Sequence, residues 1–143
     1  MKIDEITGYS PEILDKINKF LDLLVGVGYH LTKQQVEMII SEKNSHLFFA
    51  ANEDGIWMGM VTVGIYSSPT GKKAWIEDVV VDEKFRGEGV GKSLTNFAIQ
   101  FAKDQHADVV MLTSRPERIT ANNLYQRLGF EQKKTNVYRF LLK

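Results

Sequence analysis

The glycine-rich stretch at residues 82–93 has the sequence DEKFRGEGVGKS. It follows an apolar, β-branched segment, Ala74 to Asp82, and precedes a helical pattern that runs from about Gly91 to Gln105. Backbone N–H groups at the start of a helix, together with the positive end of the helix dipole, can hold phosphate oxygens. Glycine lets a phosphate come close to the backbone, and Arg86 and Lys92 add positive charge near the two ends of the turn. The sequence therefore predicts a phosphate-binding turn between a strand and a helix.

Three known phosphate-loop patterns can be compared with this spacing. A mononucleotide P-loop requires a glycine five residues before Gly-Lys-Ser, and that position is Arg86. A dinucleotide fingerprint requires a third glycine three residues after the second, where Lys92 or Leu94 stands. The third pattern, Arg/Gln-x-x-Gly-x-Gly/Ala, is matched in full by residues 86–91, RGEGVG. On spacing alone, a glycine-rich turn that merely joins a strand to a helix remains the alternative.

The rest of the chain alternates strands and helices around this turn. Ser10-Pro11 and the Thr32/Gln35 spacing predict where two early helices begin, and Asp54-Gly55 predicts a hairpin. We predict strands over residues 1–7, 46–51, 56–66, 74–82 and 108–113, helices from Pro11, Thr32, Gly91 and Ser114, and one or two closing strands between Phe130 and Leu142. This order predicts an α/β domain with a mixed central sheet of about six to seven strands and helices on both faces.

Composition excludes several classes of site. The 143 residues fit one domain spanning 1–143, and 18 lysine and arginine residues balance 18 aspartate and glutamate residues. A neutral chain is not expected to bind nucleic acid. The absence of cysteine excludes thiolate metal sites and cysteine nucleophiles, and the three histidines show no metal-ligand spacing. Because there is no apolar leader and no long apolar run, we expect a cytoplasmic protein that does not span a membrane.

Two stretches of the sequence together resemble the GCN5-related N-acetyltransferases, the GNAT family. They are residues 76–94, IEDVVVDEKFRGEGVGKSL, and residues 122–130, NNLYQRLGF. In that family the Arg/Gln-x-x-Gly-x-Gly/Ala loop holds the pyrophosphate of acetyl-CoA. Gly59 also stands where the family often has a glycine in its third strand. The resemblance is clearest over about residues 55–131, and it implies the GNAT fold with acetyl-CoA as the acyl donor.

The resemblance also implies where acetyl-CoA binds. Its pyrophosphate would lie on the backbone of Arg86, Gly87, Glu88, Gly89, Val90, Gly91 and Lys92. Its pantetheine arm would pair with the strand edge at Val79, Val80 and Val81, where the family has a bulge and a backbone N–H meets the acetyl carbonyl. Many members also hold this arm with an asparagine seven residues before the tyrosine. That position is Arg118 here, and Asn122 is the substitute that we consider.

Two side chains are candidates for proton transfer. Glu77 lies in the strand that enters the glycine loop, where several family members place a base or a water-holding carboxylate. A carboxylate in an apolar strand is costly to bury without a partner, and an ion pair or a solvated strand end is the alternative explanation for it. Tyr125 resembles the family's general acid, which protonates the leaving thiolate. It also lies on the apolar stripe of its helix, so it is a candidate core residue as well, and the two roles are compatible.

The resemblance implies an acetyl-CoA-dependent N-acetyltransferase that moves an acetyl group to a primary amine by direct attack in a ternary complex. The acceptor would be a small-molecule or protein amine, and a homodimer is a candidate assembly because members of the family commonly dimerise. Two other functions stay open at this point. One is a non-catalytic acyl-CoA-binding or sensor domain of the same fold, which the presence of both Glu77 and Tyr125 disfavours. The other is a nucleotide hydrolase, which Arg86 in the P-loop count disfavours.

Overall fold

The computed structural model describes all 143 residues, which form two compact units, Met1–Thr113 and Ser114–Lys143. The first unit contains strands β1 (Lys2–Glu5), β2 (Ser45–Ala51), β3 (Trp57–Ser68), β4 (Gly71–Val81) and β5 (Val109–Leu112), with helices α1 (Pro11–Val25), α2 (Lys33–Ser41) and α3 (Val90–Asp104). The second unit contains α4 (Ile119–Arg127). A short 3-10 turn, Glu83–Phe85, lies between β4 and α3. None of the helices is long and apolar enough to cross a bilayer.

The sheet has five strands in the order β1-β2-β3-β4-β5. The first four strands run antiparallel to their neighbours, whereas β5 runs parallel to β4. Helix α3 connects β4 to β5, so these three elements form a β-α-β unit. The predicted mixed α/β architecture is therefore confirmed.

Polar side chains fix where α1 and α2 begin. The Ser10 hydroxyl accepts a hydrogen bond from the N–H of Ile13 at 3.1 Å, and Pro11 occupies the first helical position. Thr32 and Gln35 form a complete capping box. The N–H of Gln35 donates to the Thr32 hydroxyl at 3.3 Å, and the N–H of Thr32 donates to the Gln35 side chain at 2.8 Å. Both helix starts agree with the sequence-based predictions.

Helices cover both faces of the sheet. Leu47 and Phe48 are neighbours in β2, so their side chains point to opposite faces. Leu47 belongs to the apolar core that includes residues of α1 and α2. Phe48 packs instead against Phe97 and Phe101 of α3, with ring centroids 4.9 Å apart in each pair. The first unit is therefore a three-layer sandwich, with α1 and α2 on one face of the sheet and α3 on the other.

The predicted closing strands do not form. Residues 131–143 contain no helix or strand, and the side chains of Val137, Tyr138, Phe140 and Leu142 are exposed. The prediction of about six to seven strands is wrong, because the sheet has five. An alternating pattern becomes a stable strand only where a neighbouring strand supplies hydrogen-bond partners and cross-strand contacts. The tail pairs with no strand, so its pattern alone is insufficient.

Helix α4 begins later than the sequence predicts. Ser114 and Pro116 indicate a start near residues 114–116, but the N–H of Arg118 donates to the carbonyl of Arg115 at 3.1 Å and closes a turn there. The Asn122 side chain donates to the same carbonyl at 2.9 Å. These two hydrogen bonds hold the segment as a turn, and α4 therefore begins at Ile119.

Candidate active site

The segment from Asp82 to Gly89 connects β4 to α3, and the predicted glycine-rich turn therefore lies between a strand and a helix. It begins with the 3-10 turn, where the Asp82 carboxylate accepts a hydrogen bond from the N–H of Lys84 at 2.9 Å. Gly87 and Gly89 have φ angles of 81° and 80°, a conformation that other residues rarely adopt. Gly89 is the N-cap of α3, so no side chain caps the first N–H groups of this helix.

The space beside these two glycines is open. A Cβ atom added at Gly87 or Gly89 would have no atom of the chain within 4 Å. Contacts within the chain therefore do not explain the glycines, whereas their positive φ angles do, and the open space leaves room for a ligand. The predicted loop residues all lie in this connection or in the first turn of α3: Arg86, Gly87, Glu88, Gly89, Val90, Gly91 and Lys92. Free helix N–H groups, open space and two exposed cationic side chains suit a pyrophosphate.

Strand β4 contains a β-bulge just before this loop. In the ladder between β3 and β4, Glu77 and Val80 each pair with a residue of β3. Between these two pairs β3 has one residue, whereas β4 has two, Asp78 and Val79. Two residues opposite one is the geometry of a bulge. Asp78 has a φ angle of 53°, in the left-handed region that few residues other than glycine occupy. The strand is therefore irregular beside the residues at which the resemblance implies a bulge.

The pairing between β4 and β5 ends just before the bulge. Their last pair joins Ile76 to Leu112, but β4 continues to Val81. Beyond Ile76 the edge of β4 that faced β5 has backbone N–H and C=O groups that pair with no strand. An extended ligand arm can bind to such an edge as an added strand would. Val79, Val80 and Val81 lie on this segment, and because the Val80 side chain is buried, only its backbone is available to a ligand.

Glu77 and Asp78 bring two carboxyl groups together at the bulge. Both side chains reach solvent, and neither forms an ion pair within the chain. Partial burial raises the pKa of the Glu77 carboxyl above its ordinary value, and the negative charge of Asp78 raises it further. Partial burial also raises the pKa of Asp78. Each carboxyl group therefore holds a proton more tightly than a fully solvated side chain does.

Tyr125 and Asn122 lie on α4 in the second unit. The Tyr125 ring is buried and contacts Phe130 edge to face, with centroids 5.9 Å apart. Burial raises the pKa of the Tyr125 hydroxyl, and the Arg118 guanidinium opposes this shift. The Asn122 amide donates to the Arg115 carbonyl, so its nitrogen is already engaged in holding the turn before α4. The ring of Tyr125 is thus packed, as its apolar stripe predicts, while its hydroxyl stays protonated at neutral pH.

Two features of the structure have no signal in the sequence. One is the left-handed backbone of Asp78, which depends on the register between β3 and β4. The other is Ser114, the first residue of the second unit. Its hydroxyl is buried and has no hydrogen-bond partner in the chain. Buried polar groups are normally satisfied, so this hydroxyl is an exception.

Comparisons with known proteins agree with this geometry. A family model described as "Acetyltransferase (GNAT) family" matches residues 17–130. Mouse N-acetyltransferase 8B is 34% identical over 113 residues, which cover 76% of this chain and 47% of that protein. The chain spans about a quarter to a half of the length of the curated relatives that it matches.

Solved structures share the fold along nearly the whole chain. Glucosamine-6-phosphate N-acetyltransferase from Arabidopsis thaliana superposes with a TM-score of 0.77 at 27% identity and covers 97% of each chain. An aminoglycoside acetyltransferase from an uncultured soil metagenomic sample superposes with a TM-score of 0.87, covering 99% of this chain and 96% of that one. Its identity is 18%, so it is informative about the fold alone. Since the family match runs from α1 through the glycine loop to the end of α4, this chain belongs to the GNAT family of acetyltransferases.

Proposed function

We propose that this chain is an acetyl-CoA-dependent N-acetyltransferase that moves the acetyl group to a primary amine by direct attack in a ternary complex. Membership of the GNAT family and the names of its N-acetyltransferase relatives support acetyl transfer. The single observation that carries coenzyme use is the geometry of the glycine loop. Gly87 and Gly89 leave open space directly at the uncapped start of α3.

The residues present fit acetyl-CoA. The backbone N–H groups of residues 86–92 would hold its pyrophosphate, and Arg86 and Lys92 would balance the charge. The unpaired edge of β4 at Val79–Val81 would hold the pantetheine arm, with Asn122 as a second contact through its free carbonyl oxygen. When bound, the coenzyme supplies a thioester carbonyl that an amine can attack.

Glu77 is the proposed proton acceptor for the amine. A free alkyl amine has a pKa of about 10.4, so at neutral pH it is mostly protonated and must lose a proton before it attacks. Glu77 would take that proton directly or through a water molecule. The effects of burial and of Asp78, which raise the pKa of Glu77, make it a better base than an ordinary carboxylate.

Tyr125 is the proposed proton donor to the thiolate that leaves. The effect of burial keeps its hydroxyl protonated, as a donor must be. A thiol has a pKa of about 8.5, so its thiolate is already a fair leaving group and the donated proton gives moderate help. We therefore expect Glu77 to contribute more to the rate than Tyr125.

A cationic amine is the acceptor class that the charges favour. Glu77 and Asp78 place two carboxyl groups at the bulge, and an ammonium group is attracted to both. The named acceptors of structural neighbours differ from one another, as glucosamine-6-phosphate and aminoglycosides do. A panel of small amines and amine-bearing peptides, assayed for acetyl-CoA-dependent release of free thiol, would identify the acceptor of this chain.

Substitution of Gly89 tests the proposed use of acetyl-CoA. We expect Gly89→Val to weaken acetyl-CoA binding at least tenfold, about 1.4 kcal/mol, because a branched side chain would occupy the open space that the pyrophosphate needs. Isothermal titration calorimetry on the folded variant measures the effect. Gly26→Val is the matched control, since Gly26 also has a positive φ angle, 104°, and open space, but it ends α1 away from the loop. Equal affinity of wild type and Gly89→Val would remove this loop as the coenzyme site.

A further inference from the structure

Strands β3 and β4 bury only one of their two faces beyond the bulge. The buried set alternates along both strands and pairs across the ladder between them, and it consists of Val63, Ile65, Ala74 and Ile76. Val63 also pairs with His46 of β2, whose ring centroid lies 4.7 Å from that of Phe101 in α3. Because directly paired side chains lie on the same face of a sheet, the buried set faces α3.

The residues that alternate with the buried set point to the opposite face of the sheet. There they leave a surface that we call the open sheet face, formed by Gly64, Tyr66, Trp75, Val109 and Met111. Tyr66 is 48% exposed and Val109 of β5 is 41% exposed, while Trp75 and Met111 are half-buried. The same strands therefore hide aliphatic side chains from water on one face and present two aromatic rings to it on the other.

Helices α1 and α2 lie on this side of the sheet but do not cover the open sheet face. Leu47, a member of their apolar core, pairs with Thr62, which is two residues before Gly64 in β3. That core takes residues of β3 and β4 only from the other side of the bulge, namely Trp57, Met60 and Val80. None of the apolar side chains of the open sheet face belongs to the core or packs against it. A contiguous exposed apolar patch, unlike a single exposed residue, is typical of a binding site.

Glu77 stands at one end of the open sheet face. Its pairing with Thr62 puts its side chain on this face, and it is two residues after Trp75 in β4. Two residues of a strand span roughly 6–7 Å. The carboxyl group proposed to take a proton from the amine therefore lies within the length of a small molecule from the indole ring.

The opposite end, at Lys73, carries positive charge. The Lys73 ammonium lies 5.8 Å from the centre of the Tyr66 ring and donates hydrogen bonds to the hydroxyls of Ser68 and Thr70. A ligand with one ammonium group and an apolar body is therefore repelled at this end and attracted at the Glu77 end. The charges at the two ends favour a single orientation of such a ligand.

Gly64 leaves a gap in the middle of the open sheet face. It pairs directly with Trp75, so no side chain stands opposite the indole ring. A Cβ atom added at Gly64 would have one neighbour within 4 Å, the carbonyl oxygen of Asn44 at 3.9 Å, which is an ordinary contact. The φ angle of Gly64 is not positive. Neither crowding nor backbone conformation thus requires a glycine here, whereas a flat group that lies against the indole ring would need this space.

We propose that the open sheet face holds the body of the acceptor, and that the acceptor is a primary alkyl amine that carries an aromatic ring. The amine would lie at Glu77 and the ring over Gly64, between Trp75 and Tyr66. A ring placed there covers apolar surface of the protein as well as its own, and it can pack against either aromatic side chain. The role of the amine as acceptor rests on the proposed function, whereas its binding to this face is independent of turnover.

Two amines that differ only in the ring, 2-phenylethylamine and ethylamine, test the open sheet face. The chain has two tryptophans, so its indole N–H groups give two NMR signals, which Trp75→Phe assigns. Titration of the labelled protein, with and without coenzyme A, should shift the Trp75 signal and leave that of the buried Trp57 unchanged. We expect 2-phenylethylamine to bind at least tenfold more tightly than ethylamine.

Variants within the face show whether the ring lies where we propose. Gly64→Val fills the gap and should weaken binding of 2-phenylethylamine at least tenfold, with the affinity for ethylamine unchanged. Valine favours strands, and circular dichroism checks that the variant folds. Tyr66→Ser, at an exposed position, is a second variant that should reduce the preference for the ring. Met38→Ser removes an apolar side chain that is 65% exposed on α2, outside the face, and is the matched control with wild-type affinities.

Equal affinities for the two amines, or a tenfold preference that survives both Gly64→Val and Tyr66→Ser, would overturn the proposal. So would self-association through this face, seen by analytical ultracentrifugation as a dimer that Tyr66→Ser dissociates. Binding of 2-phenylethylamine without acetylation of any amine on the panel would instead contradict the proposed acetyl transfer and leave the face as an amine site. Acetylation confined to amines without a ring would contradict the proposal for the face and leave acetyl transfer standing.

Discussion

Glu77 is a residue at which two effects increase affinity for a proton. Partial loss of water raises the pKa of its carboxyl, and the neighbouring charge of Asp78 acts in the same direction. A carboxyl whose pKa is higher in the folded than in the unfolded chain favours folding most when it is protonated. Its contribution to stability therefore falls as the pH rises through the unfolded value towards the folded one. A site that tolerates this loss is often a functional one.

Replacement of Glu77 tests its role as a base. We expect Glu77→Gln to lower the acetyl transfer rate by roughly 10²- to 10⁴-fold, as for other general bases, with acetyl-CoA affinity unchanged. The wild-type rate should fall on the acid side as Glu77 becomes protonated, and this acid limb should disappear in Glu77→Gln. Rate against pH, measured with the amine that the panel identifies, gives both results. A rate equal to that of wild type at neutral pH would assign the role to another group.

Asp78, the residue after Glu77 in β4, offers a second variant that tests the same carboxyl group. Asp78→Asn removes the negative charge that raises the pKa of Glu77 but leaves Glu77 in place. The acid limb of the rate profile should therefore move to lower pH, with the rate at its plateau largely retained. Asn also tolerates the left-handed backbone that Asp78 adopts, so the bulge should persist.

At the scale of elements, β3, β4 and α3 meet at Gly59. A Cβ atom there would lie 2.7 Å from the carbonyl oxygen of Val80, 3.0 Å from Leu94 Cδ1 and 3.3 Å from Val90 Cγ1. Val80 follows the bulge, and Val90 begins α3 after the glycine loop. A single absent side chain thus allows α3 to pack closely on the strands that carry the site.

Gly59→Ala tests this close packing. We expect it to destabilise the fold by about 1–3 kcal/mol, the usual range for an overpacked core, and to weaken acetyl-CoA binding because α3 and β4 must move apart. Gly64→Ala is the matched control in the same strand, where the added Cβ would lie 3.9 Å from the carbonyl oxygen of Asn44. Chemical denaturation and calorimetry compare the two variants. If both lose stability equally, close packing at Gly59 is not the cause.

The elements that the sequence predicts correctly are those fixed by neighbouring residues. The Ser10 cap and the Thr32 capping box each act over three positions, so a local pattern is sufficient. The glycine loop is likewise a matter of spacing along the chain. The bulge at Asp78 depends on the register between two strands, and the closing strands depend on a partner for residues 131–143. A local pattern does not contain such long-range conditions. For this reason the bulge is expected only from the family resemblance, and the predicted closing strands are absent.

At the scale of the whole molecule, the proposed chemistry draws on both compact units. Glu77, the bulge and the glycine loop belong to the first unit, whereas Tyr125 and Asn122 belong to the second. The proposed enzyme uses both proton-carrying groups, whereas a domain that only binds acyl-CoA needs neither. An enzyme and a sensor of the same fold should therefore differ in one residue of each unit, Glu77 and Tyr125.

Tyr125→Phe separates these possibilities, because it keeps the packed ring and removes only the hydroxyl oxygen. If the hydroxyl protonates the leaving thiolate, turnover should fall about tenfold or more. Stability should change by no more than about 0.5–1.5 kcal/mol, the value of one hydrogen bond. Tyr138→Phe, in the exposed tail, is the matched control and should match wild type in both measurements. Thiol release and melting temperature are measured on the same samples.

The leaving group supplies the decisive comparison for Tyr125. An acyl donor whose thiol has a lower pKa needs the donated proton less, so the loss caused by Tyr125→Phe should shrink with such a donor. A tyrosine that serves only as a packed ring predicts full turnover with every donor, which would contradict the acid assignment while leaving membership of the family untouched. A sensor predicts no turnover in wild type or variant, with acetyl-CoA binding intact in both, and this would contradict the proposed enzyme itself. Because the buried ring contacts Phe130 in all three cases, turnover and its dependence on the thiol, and not packing, distinguish a hydroxyl that donates a proton from one that merely packs.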